Sequence, residues 1–273
     1  MTHDTTKTLM KFSWVSPILA AATALLSVRT ALAEIRTETV EYRDGETVLE
    51  GYLVYDDAIV APRPGVMVVH TWMGLTDFEK ARARELAEMG YVALAADIYG
   101  RGVRPSNTDE ANELATLYRE NRELLRSRAN AGANFLRDLA MTESDRIAAI
   151  GYCFGGGTVL ELARSGASVA GVVSFHGNLD TPDPQDAADI RSRVLVLHGV
   201  DDPFVPIADV NGFIEEMQTA NVDWQMVMYG NAVHSFTDPG ADDDPFEGTA
   251  YDEDVAQEAW ATMQRFFDET FLR

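Results

Sequence analysis

The stretch from Ile147 to Arg164 constrains the fold of this chain more than any other. Ile147–Ile150 is a short apolar run that leads into Gly151-Tyr152-Cys153-Phe154-Gly155, and a helix-like segment, Thr158–Arg164, follows. This reads as a strand, a sharp turn and a helix, with a thiol at the tip of the turn. A turn that tight forces its central residue into a strained backbone conformation. Side chains two positions to either side would collide, which is what Gly151 and Gly155 avoid. The thiol then stands at the start of a helix, where partial positive charge favours the thiolate. The amide of Phe154 points to the same spot and is suited to bind an oxyanion. A lone buried cysteine is also compatible with an inert packing role, so the rest of the chain must supply partners for Cys153.

The surrounding pattern alternates strands with helices. Ile35–Tyr42 and Thr47–Tyr55 alternate apolar and polar residues around the turn Arg43-Asp44-Gly45-Glu46, which predicts an antiparallel hairpin. Val66–His70, Tyr91–Asp97, Ile147–Tyr152, Val169–Phe175, Arg193–His198 and Val222–Tyr229 are continuous apolar runs of the buried-strand type. Between them, helical spacing is found over Asp77–Met89, over Asp109–Leu139 as two helices, from Gly155 to Arg164, over Ile207–Ala220 and over Asp252–Phe271. This order predicts an α/β fold with a mainly parallel central sheet covered by helices on both faces. With 273 residues, 46% of them apolar, the chain is long enough for one full core. No repeat or linker marks a second domain.

Two compositional features bear on function. Met1–Ala33 reads as a secretory signal peptide: Lys7 and Lys11 give a basic start, Phe12–Val28 is apolar, and Ala31-Leu32-Ala33 is a small-x-small cleavage site. Residues 34–273 are then the mature domain, periplasmic or secreted. The formal net charge is −22, and after Ala33 the only lysine is Lys80. So acidic a chain is a poor partner for nucleic acid or an anionic membrane. It carries one cysteine, Cys153, and therefore no internal disulfide; an unpaired thiol in an exported chain is worth attention.

A thiol nucleophile needs a base, and the base an orienting acid. The strand ending at His198 runs into Gly199-Val200-Asp201-Asp202-Pro203-Phe204-Val205-Pro206, and the last strand runs into Gly230-Asn231-Ala232-Val233-His234-Ser235-Phe236. Carboxylates and histidines at strand carboxyl ends face the ligand crevice of a parallel sheet. Nucleophile, acid and histidine in that order, each after a strand, is the arrangement of an α/β-hydrolase with cysteine in the place of serine. On position alone, Asp201 and Asp202 are both candidates for the acid.

These motifs resemble the dienelactone hydrolase family: Cys153 in Gly-Tyr-Cys-Phe-Gly-Gly, Asp202 in His-Gly-x-x-Asp-Pro-Phe-Val-Pro and His234 in His-Ser-Phe. The resemblance runs from about Val66 to the C-terminus. It implies an α/β-hydrolase fold and cleavage of an ester or lactone through a cysteinyl acyl-enzyme. It also implies Asp202 as the acid, and a second oxyanion amide on Trp72 in the loop Thr71-Trp72-Met73-Gly74. Two positions depart from the family pattern. Thr71 stands where many members carry a glutamate that helps set the charge of the thiol. Asp238 stands where dienelactone hydrolases place an arginine for a substrate carboxylate. With Asp242, Asp243 and Asp244 following, this predicts an acidic rim and a neutral or cationic small-molecule ester or lactone.

No cofactor motif is present. The acidic run Asp242–Asp254 lacks calcium-loop spacing and the histidines lack zinc spacing, so no metal is expected. His70 and His176 end strands and are candidates to line the crevice. The competing function is a redox-sensing or binding protein on a hydrolase scaffold, suggested by Thr71 and the unpaired thiol.

Overall fold

Ile35–Asp44 (β1), largely exposed with only Tyr42 buried, pairs with the more buried Thr47–Asp56 (β2) in an antiparallel hairpin, in register from Ile35 opposite Asp56 to Asp44 opposite Thr47. Gly45, at φ +56°, makes its tight turn. The remaining strands are Arg63–Val69 (β3), Val92–Ala96 (β4), Thr142–Tyr152 (β5), Gly171–Phe175 (β6), Arg193–Gly199 (β7) and Trp224–Tyr229 (β8). They form a sheet in the order β1-β2-β4-β3-β5-β6-β7-β8. β2 is antiparallel to β1 and β4, and every other pair is parallel. This computed structural model describes residues 1–3, 34–241 and 247–272. Residues 4–33 of the segment read as an export signal, and residues 242–246 of the acidic run, lie outside them. Among the described residues no helix is long and apolar enough to cross a membrane.

The helices are Asp77–Glu88 (α1), Thr108–Glu120 (α2), Arg122–Asp138 (α3), Phe154–Arg164 (α4), Ile207–Thr219 (α5) and Glu253–Phe271 (α6). The long helical stretch divides at Asn121, which ends α2 and caps α3 by accepting the Leu124 amide at 3.1 Å. β5 begins earlier than its apolar run suggests, because Thr142 already pairs with Arg63 across an irregularity in β3. A 3-10 turn at Pro184–Asp189, capped by Asp183, has no apolar period to announce it.

Successive residues of the central strands point to opposite faces, and both faces are dry. Val66, Val68, Ile150, Val173 and Leu195 face a core closed by α1 and α6, including Leu86, Met263 and Phe267. Met67, Val69, Ala149, Val172 and Val196 face a second core with Leu125, Leu136, Leu160 and Phe213 from α3, α4 and α5. At the far end of α4, Arg164 is buried. It donates to Glu216 at 2.8 and 2.7 Å, to Glu161 at 2.9 Å and to the Leu179 carbonyl at 3.2 Å. Removing one partner from such a cluster costs about 3–5 kcal/mol, because a buried charge is left uncompensated.

The parallel arrangement sends the chain out of β3, β5, β6, β7 and β8 at the same rim of the sheet. The segments that leave there carry Thr71 and Trp72, Cys153, His176, Asp202 and His234 respectively.

Candidate active site

Cys153 occupies the turn between β5 and α4 at φ +54°, ψ −115°. For a residue with a side chain this conformation costs about 1–3 kcal/mol. The surroundings hold it there. Its amide donates to the Phe175 carbonyl at 3.1 Å and to Nδ1 of His176 at 3.2 Å, and its carbonyl accepts from Gly156 at 3.0 Å. A Cβ on Gly151 would lie 2.0 Å from the Gly155 carbonyl oxygen, and one on Gly155 would lie 2.3 Å from that of Val69. Only glycine lets the turn close against β3.

Of the two adjacent acids, Asp202 is the one that turns inward. Asp201 is exposed, whereas the Asp202 carboxylate is buried. Its Oδ2 accepts from Nδ1 of His234 at 2.7 Å and its Oδ1 accepts from the Phe204 amide at 2.9 Å. The imidazole lies between the rings of Phe204 and His176, with centroids at 5.2 and 5.1 Å. Its backbone is tied on both sides, donating to the Gly248 carbonyl at 3.1 Å and accepting from the Ala250 amide at 3.2 Å. With Nδ1 engaged by Asp202, Nε2 is left for the thiol, and the two side chains share the lining of one cavity and perturb each other's ionisation.

The electrostatics follow from this contact. Burial pushes the thiol pKa up. The charge and hydrogen bond of His234 overcome that, helped by Arg119 and the Phe154 amide, so the thiol lies below its ordinary value. Burial likewise opposes a charged His234, but Cys153 and Asp202 outweigh it and push the imidazole up to about 10. Each group thus favours the charged form of the other, the thiolate on Cys153 and the imidazolium on His234.

The sulfur opens on a cavity of about 370 Å³ whose lining includes Thr71, Trp72, Arg119, Phe204, His234 and Asp238. The acid expected from the sequence at Asp238 is present, but a cation shares the cavity. Arg119, near the end of α2, joins no carboxylate among the described residues, and its Nε is buried without a hydrogen-bond partner. A residue in the last turn of an amphipathic helix reads as a partner for the helix dipole, so its reach to the thiol is not visible in sequence. A larger hollow of about 780 Å³ lies at the opposite end of β6, β7 and β8, beside Arg193, Asp223 and Thr270. It contains neither cysteine nor histidine and is remote from this chemistry. Among the described residues no group of three or more His, Cys, Asp or Glu is arranged to hold a metal ion.

His70 and His176 do not line the cavity. Both are buried supports. His70 donates from Nδ1 to the Thr71 carbonyl at 2.6 Å and accepts the Ile98 amide on Nε2 at 3.2 Å. His176 accepts from Cys153 on Nδ1, which leaves Nε2 to donate to Thr237 Oγ1 at 2.8 Å. That pattern requires a neutral ring. Burial, and then the neighbouring His234 charge, hold the His176 pKa well below its ordinary value.

The loop carrying Trp72 is a turn closed by the Gly74 amide on the Thr71 carbonyl at 3.1 Å. The Tyr99 hydroxyl donates to the Trp72 carbonyl at 2.9 Å, and the Thr71 amide donates to Glu79 at 3.0 Å.

Known proteins share this framework. The family model for the dienelactone hydrolase family matches residues 49–271. The solved structure of m3DLH is 41% identical with a TM-score of 0.84, covering 86% of this chain and 98% of that one. A dienelactone hydrolase-like promiscuous phosphotriesterase from metagenomic libraries is 39% identical with a TM-score of 0.82, at the same two coverages. A putative carboxymethylenebutenolidase of Methylorubrum extorquens is 27% identical, over 76% of this chain and 72% of its own length. From the match over most of its length and the shared sheet, the chain belongs to the dienelactone hydrolase family and is a lactone or ester hydrolase of that type.

Proposed function

We propose that the enzyme cleaves a small carboxylic ester or lactone through a cysteinyl acyl-enzyme, with Cys153, His234 and Asp202 acting together. The observation that carries this reading is the placement of Cys153 and His234 in the lining of one cavity, with the imidazole hydrogen-bonded to the buried Asp202 carboxylate at 2.7 Å. The Cys153 thiolate attacks the carbonyl carbon, and the amides of Phe154 and Trp72 receive the oxyanion. Collapse breaks the carbon–oxygen bond, and Nε2 of the imidazolium gives its proton to the leaving alkoxide. The neutral imidazole then takes a proton from water as that water attacks the thioester. A second collapse releases the carboxylic acid and restores the thiolate. Asp202 keeps Nδ1 protonated throughout, so that Nε2 always faces the reaction.

A second reading, attack of the same thiolate on phosphorus in a neutral phosphotriester, is favoured by the identity to the metagenomic phosphotriesterase. On the same view the enzyme works in the periplasm or outside the cell, after removal of residues 1–33. The support there is the basic start, apolar stretch and small-x-small site of that segment.

The test is a panel of aryl esters, small lactones and a neutral aryl phosphotriester, run with wild type and Cys153→Ala. Turnover is lost in the variant, and mass spectrometry of the wild type quenched in mid-reaction finds an acyl group on Cys153. Undiminished ester turnover in the variant rules the reading out. A thiol that alkylates readily in a protein that turns over no ester points instead to a sensing or binding role.

A further inference from the structure

The carboxylate of Glu79, in the first turn of α1, is fully buried and joins no cation among the described residues. Part of its surroundings is an ordinary helix start. Thr76 caps α1, and Glu79 Oε2 reaches back to accept the Thr76 amide at 2.8 Å and the Thr76 hydroxyl at 2.7 Å. That is a capping box, which needs one carboxylate oxygen. The other oxygen does something a helix cap does not require. Oε1 leaves the helix and accepts the Thr71 amide at 3.0 Å, so one side chain grips both ends of the loop Thr71–Thr76.

The place where it grips is informative. The Thr71 carbonyl is held by Nδ1 of His70 at 2.6 Å and by the Gly74 amide at 3.1 Å. In a trans peptide the N–H points opposite to the C=O, so the same bonds set the direction of the Trp72 N–H. The next carbonyl along, that of Trp72, is held by the Tyr99 hydroxyl at 2.9 Å. The amide that precedes the peptide is held by Glu79. The Thr71–Trp72 peptide is therefore clamped on both flanks, from α1 on one side and from Tyr99 on the other. An oxyanion donor is effective only when its direction is fixed before the reaction begins.

We propose that Glu79 is a positioning residue for turnover: its carboxylate holds the Thr71–Trp72 peptide so that the Trp72 amide meets the developing oxyanion. The proposal rests on the acyl-enzyme reading above. Glu79 touches neither substrate nor thiol, and it acts through the loop.

Glu79→Gln keeps size and shape but leaves a single acceptor oxygen, so an NH₂ group faces either the Thr71 or the Thr76 amide. With aryl esters, kcat falls by about 10- to 100-fold, less than the roughly 10²–10³ lost when an oxyanion donor is removed outright, and KM stays close to its wild-type value. Alkylation of Cys153 by iodoacetamide forms no oxyanion and keeps its wild-type rate. Thr76→Ala removes the cap hydroxyl and leaves the Glu79–Thr71 bond; it lowers Tm and spares kcat. Tyr99→Phe releases the other flank of the same peptide and repeats the kcat signature if Glu79→Gln does not fold. A Glu79→Gln protein that loses Tm but keeps kcat overturns the proposal, because the residue is then only a cap. So does an equal fall in turnover and alkylation, or full kcat in Tyr99→Phe when Glu79→Gln is insoluble. A wild type that alkylates normally but turns over no ester removes the acyl-enzyme reading itself, and this proposal with it.

Discussion

Replacing Asp202 with asparagine changes one atom of the side chain, and the hydrogen-bond geometry dictates the outcome. Both carboxylate oxygens are used as acceptors, Oδ1 by the Phe204 amide at 2.9 Å and Oδ2 by Nδ1 of His234 at 2.7 Å. Asparagine has one acceptor and one donor group. If its oxygen stays on the Phe204 amide, its NH₂ faces the imidazole, and Nδ1 must become the acceptor. The ring proton then moves to Nε2, the nitrogen that accepts a proton in the proposed hydrolysis. The opposite flip sets an NH₂ against a buried N–H, which costs about 1–3 kcal/mol. The first arrangement therefore wins, and the wrong tautomer predominates. In serine triads the same inversion lowers kcat about 10⁴-fold, equivalent to about 5 kcal/mol of barrier. The assay is kcat on an aryl ester, normalised to folded protein. Asp201→Asn serves as the control and leaves kcat unchanged, since that side chain is exposed. A loss below about tenfold in Asp202→Asn, set against the roughly 10⁴-fold expected, refutes the assignment of tautomer control to this carboxylate.

Two further outcomes are specific. The thiol is depressed by His234 against the opposing effect of burial, so thiolate is present above that lowered value and is lost as the pH falls through it. At about pH 7.5 a larger share of Cys153 is accordingly thiolate, and open to alkylation by iodoacetamide, than of an ordinary thiol of pKa about 8.5. In His234→Gln burial acts with less opposition, the thiol pKa rises, and the rate at that pH drops; a wild-type profile that climbs steeply up to about pH 9 contradicts this. Gly155→Ala brings a Cβ within 2.3 Å of the Val69 carbonyl oxygen and 2.7 Å of that of His70. Backbone must move, at a cost of about 3 kcal/mol or more, and the urea midpoint falls; an unshifted midpoint shows that the turn relaxes freely.

The parts of the molecule that were legible in the sequence share a physical cause. Cys153, Asp202 and His234 each follow a strand whose apolar run is visible locally, and a parallel sheet delivers strand ends to one rim whatever the helices between them do. The choice between Asp201 and Asp202 came from resemblance rather than position; in the structure the second carboxylate is the one turned inward to His234. Glu79 was half visible: Thr76 and Glu79 have capping-box spacing, but the bond from Glu79 to Thr71 depends on how the loop folds back. Arg119 and His176 were hidden more completely. The first looks like a helix-end cation, and the second is a neutral ring whose acceptor role exists only once β5 and β6 are paired. Asp238 lines the cavity as its acidity suggests, but charge along the chain does not report Arg119, a cation brought in from another element. The early start of β5 was missed because Thr142 pairs with Arg63 through register and not through hydrophobicity.

The buried charges at the far end of α4 bear on how this enzyme can diversify. The Cys153 sulfur sits at the head of a rod buried along its whole length, and Arg164 bolts the tail of that rod to Glu161, Glu216 and the Leu179 carbonyl. A thiol anchored this way, acting as the proposed nucleophile, has little slack to follow a new substrate. Accommodation falls instead to the walls, where Trp72, Arg119, Phe204 and Asp238 are contributed by segments lying outside the rod. Selection for new substrates is thereby channelled into those walls, while the sulfur keeps its station.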